Sequence, residues 1–222
     1  MKLQYLGDSK DSFKWDYHDY LLKELGYPVL NIMLMMTPDD QSNDGKSRPS
    51  LFPARREITE FCNDLRNERD IKLIYELPDR TGSNYIINLH KPEKHLTNLN
   101  RKIYFSGLSE KQNQLLFLDP DNGFEPENSF SEKHVLYSDI KAILEQISED
   151  SVISIFQHFR RYVKFAKVFA RINERLLPCN ATAIYWKNFL MFVCLSRSKR
   201  AIEKVIDANI RYAKSNPVEI IA

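Results

Sequence analysis

The densest polar cluster in the chain is the segment Asp119-Pro120-Asp121-Asn122-Gly123-Phe124-Glu125, which directly follows the apolar run Leu115–Leu118. Carboxylates are the oxygen donors that Mg²⁺ and Ca²⁺ bind, so Asp119, Asp121 and Glu125 could hold a divalent cation. The alternative is a tight turn without chemistry, because Pro-Asp-Asn-Gly is a favourable turn sequence.

Two further apolar runs are followed by polar residues that could carry chemistry. Thr37-Pro38-Asp39-Asp40 follows Val29–Met36, and acidic residues at that place could hold a ribose or a cation; a solvated loop is the alternative. His158 follows Val152–Phe156 near the expected start of a helix. It could be a general base or a phosphate contact, or only a hydrogen-bonded structural histidine.

The segment Gly7-Asp8-Ser9-Lys10-Asp11-Ser12-Phe13-Lys14 precedes and opens the first expected helix. Asp8 and Asp11 complement the positive end of that helix, and either could be its cap. Lys133-His134 opens a later helix after the Asp119 segment. These two residues could neutralise the acids of that segment, contact phosphate or simply be solvated.

A stripe of basic residues runs along the helix expected at Phe159–Leu177. Tyr162, Ala166, Phe169, Ile172 and Leu176 line another face of that helix, which we expect to pack on the sheet. The basic stripe predicts contact with the phosphates of a nucleic acid, and a solvated helix face is the alternative. Its members, at spacings of three and four residues, are Arg160, Lys164, Lys167, Arg171 and Arg175.

Charge is distributed unevenly along the 222 residues, although the formal total is only +2. From Arg160 onward the sequence has thirteen basic and four acidic residues, a charge of +9, so the preceding part carries −7. A net total near zero therefore does not exclude a polyanionic partner.

Composition excludes several classes of protein. No stretch approaches the roughly 18 apolar residues of a transmembrane helix, so no membrane partner is expected. The high aromatic content, 12%, argues against intrinsic disorder. The first residues lack the apolar region of a signal peptide, which predicts a cytoplasmic protein. Cys62, Cys179 and Cys194 are widely spaced, which indicates free thiols and no disulfide framework.

The elements that must position these residues alternate between helix and strand along the chain. Alternation of this kind predicts an α/β doubly wound, mostly parallel sheet covered on both faces, here as one domain over residues 1–222. Two apolar runs joined at Lys187-Asn188 predict an antiparallel β-hairpin near the C-terminal end. The expected helices are Asp11–Leu25, Ala54–Glu68, Val135–Ile147, Phe159–Leu177 and Ser198–Ser215, and the expected strands are Val29–Met36, Ile71–Leu77, Tyr85–Leu89, Ile103–Phe105, Leu115–Leu118, Val152–Phe156, Ala181–Trp186 and Phe189–Leu195.

Several motifs of known chemistry do not occur in the sequence. It contains no Gly-x-Gly, so the dinucleotide fingerprint and the glycine-rich methyl-donor loop are not intact, and it has no Walker A sequence. It also lacks the Gly-x-Ser-x-Gly elbow of the α/β hydrolases.

The motifs that do occur resemble those of the large-subunit ribosomal RNA adenine-N6 methyltransferases. Gly7-Asp8, Asp11 and Lys14 resemble the Gly-Asn-x-x-Asp-x-x-Lys segment that opens this family, and Asp119-Pro120-Asp121-Asn122 stands where the family has Asp-Pro-Pro-Tyr. The late hairpin is similar to the end of the class I methyltransferase fold. The same set of motifs also resembles a group of bacterial proteins without an assigned function.

The resemblance implies an S-adenosylmethionine-dependent methyltransferase acting on nucleic acid. Carried over, Asp119 would face the substrate. From their places in the sequence we add Asn122, which with Asp119 would accept hydrogen bonds from the amine of the target base, and Asp121 and His158 as further catalytic candidates. The matching motif implies Gly7, Asp8, Asp11 and Lys14 at the cofactor, and we add Thr37 and Asp39 from their place after the first strand. Two alternatives stay open: a metal-dependent nuclease or phosphoesterase using Asp119, Asp121, Glu125 and His158, and a non-catalytic nucleic-acid-binding module.

Overall fold

A seven-stranded sheet forms the centre of the protein, as seen in a computed structural model that describes residues 1–38, 45–159 and 163–222. The strands are β1 (Val29–Met33), β2 (Ile86–Leu89), β3 (Leu115–Leu118), β4 (Gly123–Phe124), β5 (His134–Val135), β6 (Val152–His158), β7 (Asn180–Trp186), β8 (Leu190–Ser196) and β9 (Glu219–Ile221). The order in the large sheet is β2-β1-β3-β6-β8-β7-β9, while β4 and β5 pair separately.

Strand directions confirm the predicted α/β architecture. The four neighbouring strands β2, β1, β3 and β6 are parallel, with Leu115 of β3 opposite Leu30 on one side and Val152 on the other. The hairpin β7–β8 and strand β9 then continue the sheet by antiparallel pairing. Strand β8 lies between β6 and β7, so the second strand of the hairpin, and not the first, pairs with β6.

Helices cover both faces of this sheet. The helices are α1 (Ser9–Leu25), α2 (Arg56–Glu68), α3 (Leu77–Thr81), α4 (Arg101–Tyr104), α5 (Tyr137–Leu144), α6 (Phe165–Arg175) and α7 (Lys199–Ala213), with 3₁₀ turns at Leu3–Tyr5, Pro49–Leu51 and Ile71–Glu76. Residues of α1, α2 and α7 belong to one apolar cluster, and those of α5 and α6 to another. Phe117 and Leu118 of β3 face opposite clusters, as the alternation of side chains along a strand requires.

The strand predicted at Ile71–Leu77 is wrong. Residues Ile71–Glu76 form a 3₁₀ turn that continues into α3, and Asp70 caps it by accepting the Lys72 N–H at 2.8 Å. Ile74 and Leu77 are fully buried. Apolar side chains three residues apart follow a helical period, whereas a half-buried strand requires alternation.

The strand predicted at Ile103–Phe105 is also wrong, because Arg101–Tyr104 is a short helix. Thr97 and Asn100 exchange hydrogen bonds between side chain and backbone, at 2.9 and 3.2 Å, immediately before it. Such local bonds favour the turn that starts a helix over an extended chain. Ile103 is left on the surface, 65% exposed.

Two predicted helices are shorter than expected. Val135 belongs to β5, and α5 begins only at Tyr137 and ends at Leu144. The helix predicted at Phe159–Leu177 extends only over Phe165–Arg175, since Phe159 still donates its N–H to Phe189 O at 3.2 Å and so continues the pairing of β6 with the hairpin. In α6 the buried residues are Phe165, Val168, Phe169 and Ile172, whereas Ala166 is exposed and Tyr162 lies outside the described residues.

Within the described ranges, none of the helices combines the length and the apolar character needed to cross a membrane.

Candidate functional site

A cavity of about 230 Å³ lies at the carboxyl ends of β3 and β6, and we call it the Asp119 cavity. Its walls come from the N-terminal segment, the start of α1, the loop after β3 and the end of β6. In an open parallel sheet, this edge is where ligands bind. Of the residues that the sequence singles out after the apolar runs of β3 and β6, Asp119, Asp121, Asn122 and His158 all line this cavity.

Lys14 connects two walls of the Asp119 cavity. Its ammonium group lies 2.6 Å from Asp11 Oδ1 and 2.7 Å from Asp119 Oδ2, and all three side chains are almost completely buried. The two carboxylates hold the pKa of Lys14 above its usual range despite burial. Burial raises the pKa of Asp119, and the charge of Lys14 opposes this rise. Asp119 is therefore a fixed part of an ion cluster that includes a lysine.

The segment from Gly7 to Asp11 forms the start of α1 through local hydrogen bonds. Asp8 is the N-cap, and its Oδ1 accepts the N–H groups of Lys10 at 2.8 Å and Asp11 at 3.0 Å. The Gly7 N–H donates to Asp11 Oδ2 at 2.8 Å. Gly7 has a φ of +71°, and a Cβ there would lie 2.1 Å from the carbonyl oxygen of Cys62 in α2. Only glycine fits both conditions.

Asp121 is held by Thr37 and by the N-terminal residue. Its Oδ2 accepts the hydroxyl of Thr37 at 2.5 Å, and its Oδ1 lies 2.6 Å from the α-amino group of Met1. That amino group also donates to Met35 O at 2.9 Å, and Thr37 donates its N–H to Met1 O at 3.0 Å. Thr37, predicted at the cofactor, thus supports the cavity wall, while Asp39 lies outside the described residues.

Gln157 is the positioning residue that sequence reasoning missed. Its side chain, fully buried, accepts the Phe124 N–H at 3.0 Å and donates to the carbonyl oxygens of Asn122 and His158 at 3.3 and 2.9 Å. A Cβ on Gly123 would lie 2.5 Å from Gln157 Oε1. Gln157 therefore fixes the loop after β3 against the end of β6. The signal in the sequence that indicates this role is a polar residue within the otherwise apolar run of β6.

His158 and Asn122 remain half-exposed where they line the Asp119 cavity. The ring of His158 stacks beside that of Phe156, with centroids 6.3 Å apart, and Asn122 donates its N–H to Lys133 O at 3.0 Å. Lys133 lines the same cavity. These are the polar groups of the loop and of β6 that a ligand could reach.

Glu125 does not join the two aspartates of the predicted metal site. It lies beyond β4, and its Oε1 accepts the Tyr137 N–H at the start of α5, at 2.7 Å. Asp119 and Asp121 each contact an ammonium group instead. In the described ranges, no group of three or more histidine, cysteine or acidic side chains is arranged to hold a metal ion.

The basic stripe is only partly available on the surface. Lys164, the N-cap of α6, and Lys167 are exposed. Arg171 is half-buried and paired with Glu127 at 3.3 Å, whereas Arg175 is exposed and lies over the ring of Tyr137 at 5.8 Å. Arg160 lies outside the described residues.

The positive charge of the C-terminal part is divided between the two faces of the sheet. Helix α6 packs into the cluster that includes Ile140 of α5, whereas α7 packs into the cluster of α1 and α2. Exposed Lys164 and Lys167 therefore lie on the opposite side of the molecule from exposed Arg200 and Lys204. The +9 of this part does not form one contact surface.

Comparison with protein-family models, with curated proteins and with solved structures finds no match for this chain.

Proposed function

We propose that the protein is a divergent S-adenosylmethionine-dependent methyltransferase that acts on nucleic acid. The observation that carries this proposal is the meeting of two segments in the Asp119 cavity: Gly7–Lys14 and Asp119–Asn122. These are the segments in which the sequence resembles the ribosomal RNA adenine-N6 methyltransferases, and Lys14 joins them directly at Asp119. The antiparallel end of the sheet, with β8 between β6 and β7, supports the same proposal.

The cavity fits the charged end of such a cofactor. Its walls offer carboxylates, as at Asp8, and ammonium groups, as at Lys10, within one cavity that is open to solvent. Pockets for drug-sized ligands usually have at least about 300 Å³, so a cofactor of this size would extend beyond the 230 Å³ of the cavity. When bound, the cofactor supplies an electrophilic methyl group.

The chain's own residues would orient the acceptor. Asn122 is half-exposed, and its amide oxygen could accept a hydrogen bond from the amine of a base. Asp119 fixes the loop that presents Asn122, because one of its oxygens is already bound to Lys14. His158, which also lines the cavity, would take up a proton. The exposed Lys164 and Lys167 would contact the phosphate backbone.

No specific observation favours the metal-dependent alternative. Asp119 and Asp121 contact ammonium groups, and Glu125 is bound to the backbone of Tyr137. We therefore make metal dependence an outcome of the test and do not propose it separately.

Calorimetric titration of the protein with S-adenosylmethionine, and separately with Mg²⁺ and Mn²⁺, tests the proposal. We expect saturable binding of the cofactor in the presence of a chelator. Absence of cofactor binding would contradict the proposal, and saturable metal binding that is lost in Asp121→Ala would favour a metal-dependent enzyme. If neither the cofactor nor a metal ion binds, a non-catalytic nucleic-acid-binding module is the remaining candidate.

A further inference from the structure

Asp8 differs from the other aspartates that line the Asp119 cavity. Asp11 and Asp119 contact Lys14, and Asp121 contacts the α-amino group of Met1. Asp8 is 5% exposed, and its Oδ1 accepts two backbone N–H groups. From the described part of the chain, no hydrogen bond or ion pair reaches its second oxygen, so Asp8 lacks the cation that each of its neighbours has.

The capping role of Asp8 does not require a charge. Asparagine caps helices about as well as aspartate does, because the cap is an oxygen that accepts N–H groups. Burying a carboxylate without a cation is costly in comparison. That cost is visible in the pKa of Asp8, which burial and the neighbouring Asp11 raise to about 6. The positive end of α1 favours a negative charge at this position, yet the pKa of Asp8 is still raised, so the helix end does not fully compensate the buried carboxylate.

Other charged groups also face the cavity, and they limit which ligand could neutralise the carboxylate of Asp8. Lys10 and Lys14 on α1 lower its pKa, but less than burial and Asp11 raise it. Lys14 is already bound by two carboxylates. The charged or titratable residues lining the cavity from other segments are Met1, Lys2, Tyr5, Asp119, Asp121, Lys133 and His158. A small cation entering the cavity would supply the partner that Asp8 lacks.

We propose that Asp8 recognises the positively charged group of an organic onium ligand, a sulfonium or a quaternary ammonium, bound in the Asp119 cavity. The proposal deepens the function given above and rests on it for the identity of the natural ligand, since S-adenosylmethionine carries a sulfonium. The recognition itself is independent of that identity, because it requires only the carboxylate and the cavity.

A pair of small probes tests the recognition without assuming the cofactor. Trimethylsulfonium is titrated into the protein and compared with neutral tert-butanol, while NMR follows the amide signals of Lys10 and Asp11. We expect trimethylsulfonium alone to shift these signals saturably, and Asp8→Asn to remove the shifts while the melting temperature stays the same or rises. Asp70→Asn is the matched control, because Asp70 also caps a turn, outside the cavity.

A second pair of ligands extends the test to the cofactor. S-adenosylmethionine and its neutral thioether product, S-adenosylhomocysteine, are titrated into the wild type and into Asp8→Asn. We expect the wild type to prefer the sulfonium and the variant to lose about 30-fold of that preference, as expected for removal of one partner from a buried charge pair. Failure of the wild type to bind either molecule contradicts the proposed function alone. Failure of trimethylsulfonium to shift the amides, or an unchanged preference in Asp8→Asn, overturns the role of Asp8.

Discussion

Lys14 is the residue on which the candidate site depends most directly. It joins the first turns of α1 to the loop after β3, across 105 positions of sequence, through two buried carboxylates. Removing one partner from a buried ion cluster leaves charges that are neither solvated nor neutralised. The cluster therefore couples the stability of the fold to the shape of the Asp119 cavity.

Lys14→Met should lower the free energy of unfolding by about 3–5 kcal/mol, because Asp11 and Asp119 would remain buried without their cation. Urea denaturation at neutral pH measures this change. Lys10→Met is the control, since Lys10 is half-buried and forms no ion pair with a described residue, and it should cost no more than about 0.5 kcal/mol. Equal effects of the two substitutions would refute the argument.

Gln157→Leu should lower the free energy of unfolding by about 1–3 kcal/mol, because it leaves the Phe124 N–H and two carbonyl groups without their buried partner. The Phe124 amide should also exchange its hydrogen faster, which hydrogen–deuterium exchange followed by NMR detects. Gln112→Leu, at an exposed position, should change neither quantity. Unaltered exchange at Phe124 in Gln157→Leu would show that this side chain does not fix the loop.

At the scale of elements, the exposed part of the basic stripe gives a prediction about partners. Lys164→Glu combined with Lys167→Glu should weaken salt-sensitive binding to a nucleic acid at least about tenfold, because it replaces two phosphate contacts by repulsion. Fluorescence anisotropy with a labelled RNA and DNA at several salt concentrations measures the effect. Arg200→Glu with Lys204→Glu makes the same change of charge on the opposite face and should have a smaller effect. Similar losses of affinity in both variants would mean that the total charge of the protein, and not the basic stripe, determines nucleic-acid binding.

The sequence predicts an element well when neighbouring residues determine it, and poorly when contacts between distant residues do. Strand β3 has the predicted bounds, Leu115–Leu118, because turn residues follow a short apolar run. The helical turn at Ile71–Glu76 was predicted as a strand because short apolar stretches fit both periods. The late strand β9 was not predicted, since it exists only through pairing with β7.

The candidate site shows the same limit. The sequence places Asp119, Asp121, Asn122 and His158 at strand ends, and topology alone then brings them to one edge of the sheet. It gives no sign that Lys14 binds Asp119, because that contact depends on how α1 packs against β3. Helices α6 and α7 likewise pack on opposite faces of the sheet, and the distribution of charge along the chain does not reveal this.

The whole molecule responds to acid through a buried histidine in α1. His18 is fully buried; its Nδ1 lies 2.6 Å from Lys14 O and its Nε2 lies 2.8 Å from Ser154 Oγ. Burial lowers the pKa of His18 to about 3. The unfolded chain therefore takes up a proton at a higher pH than the folded protein does, so the folded state loses stability as the pH falls below about 6.5. Because the pKa of Asp8 is raised to about 6, protonation of Asp8 stabilises the folded state as the pH falls below about 6.

The free energy of unfolding of the wild type, relative to that of His18→Gln, should fall by about 1.4 kcal/mol per pH unit between about pH 6 and pH 4. Urea titrations at several values of pH measure the difference, which removes the contribution of Asp8 because both proteins retain it. His95→Gln, at an exposed position, should show no such slope relative to the wild type. A constant difference between the wild type and His18→Gln would contradict the assignment.

The position of β8 between β6 and β7 also determines when the sheet can be completed during synthesis. The parallel strands β2, β1, β3 and β6 are all translated before residue 159, yet β6 obtains its second neighbour only from Leu190–Ser196. A nascent chain that ends before these residues exposes the backbone groups of an apolar strand along one whole edge. Unpaired edges of this kind favour pairing with other chains, so the protein is most prone to aggregate after β6 has been made and before Leu190–Ser196 can pair with it.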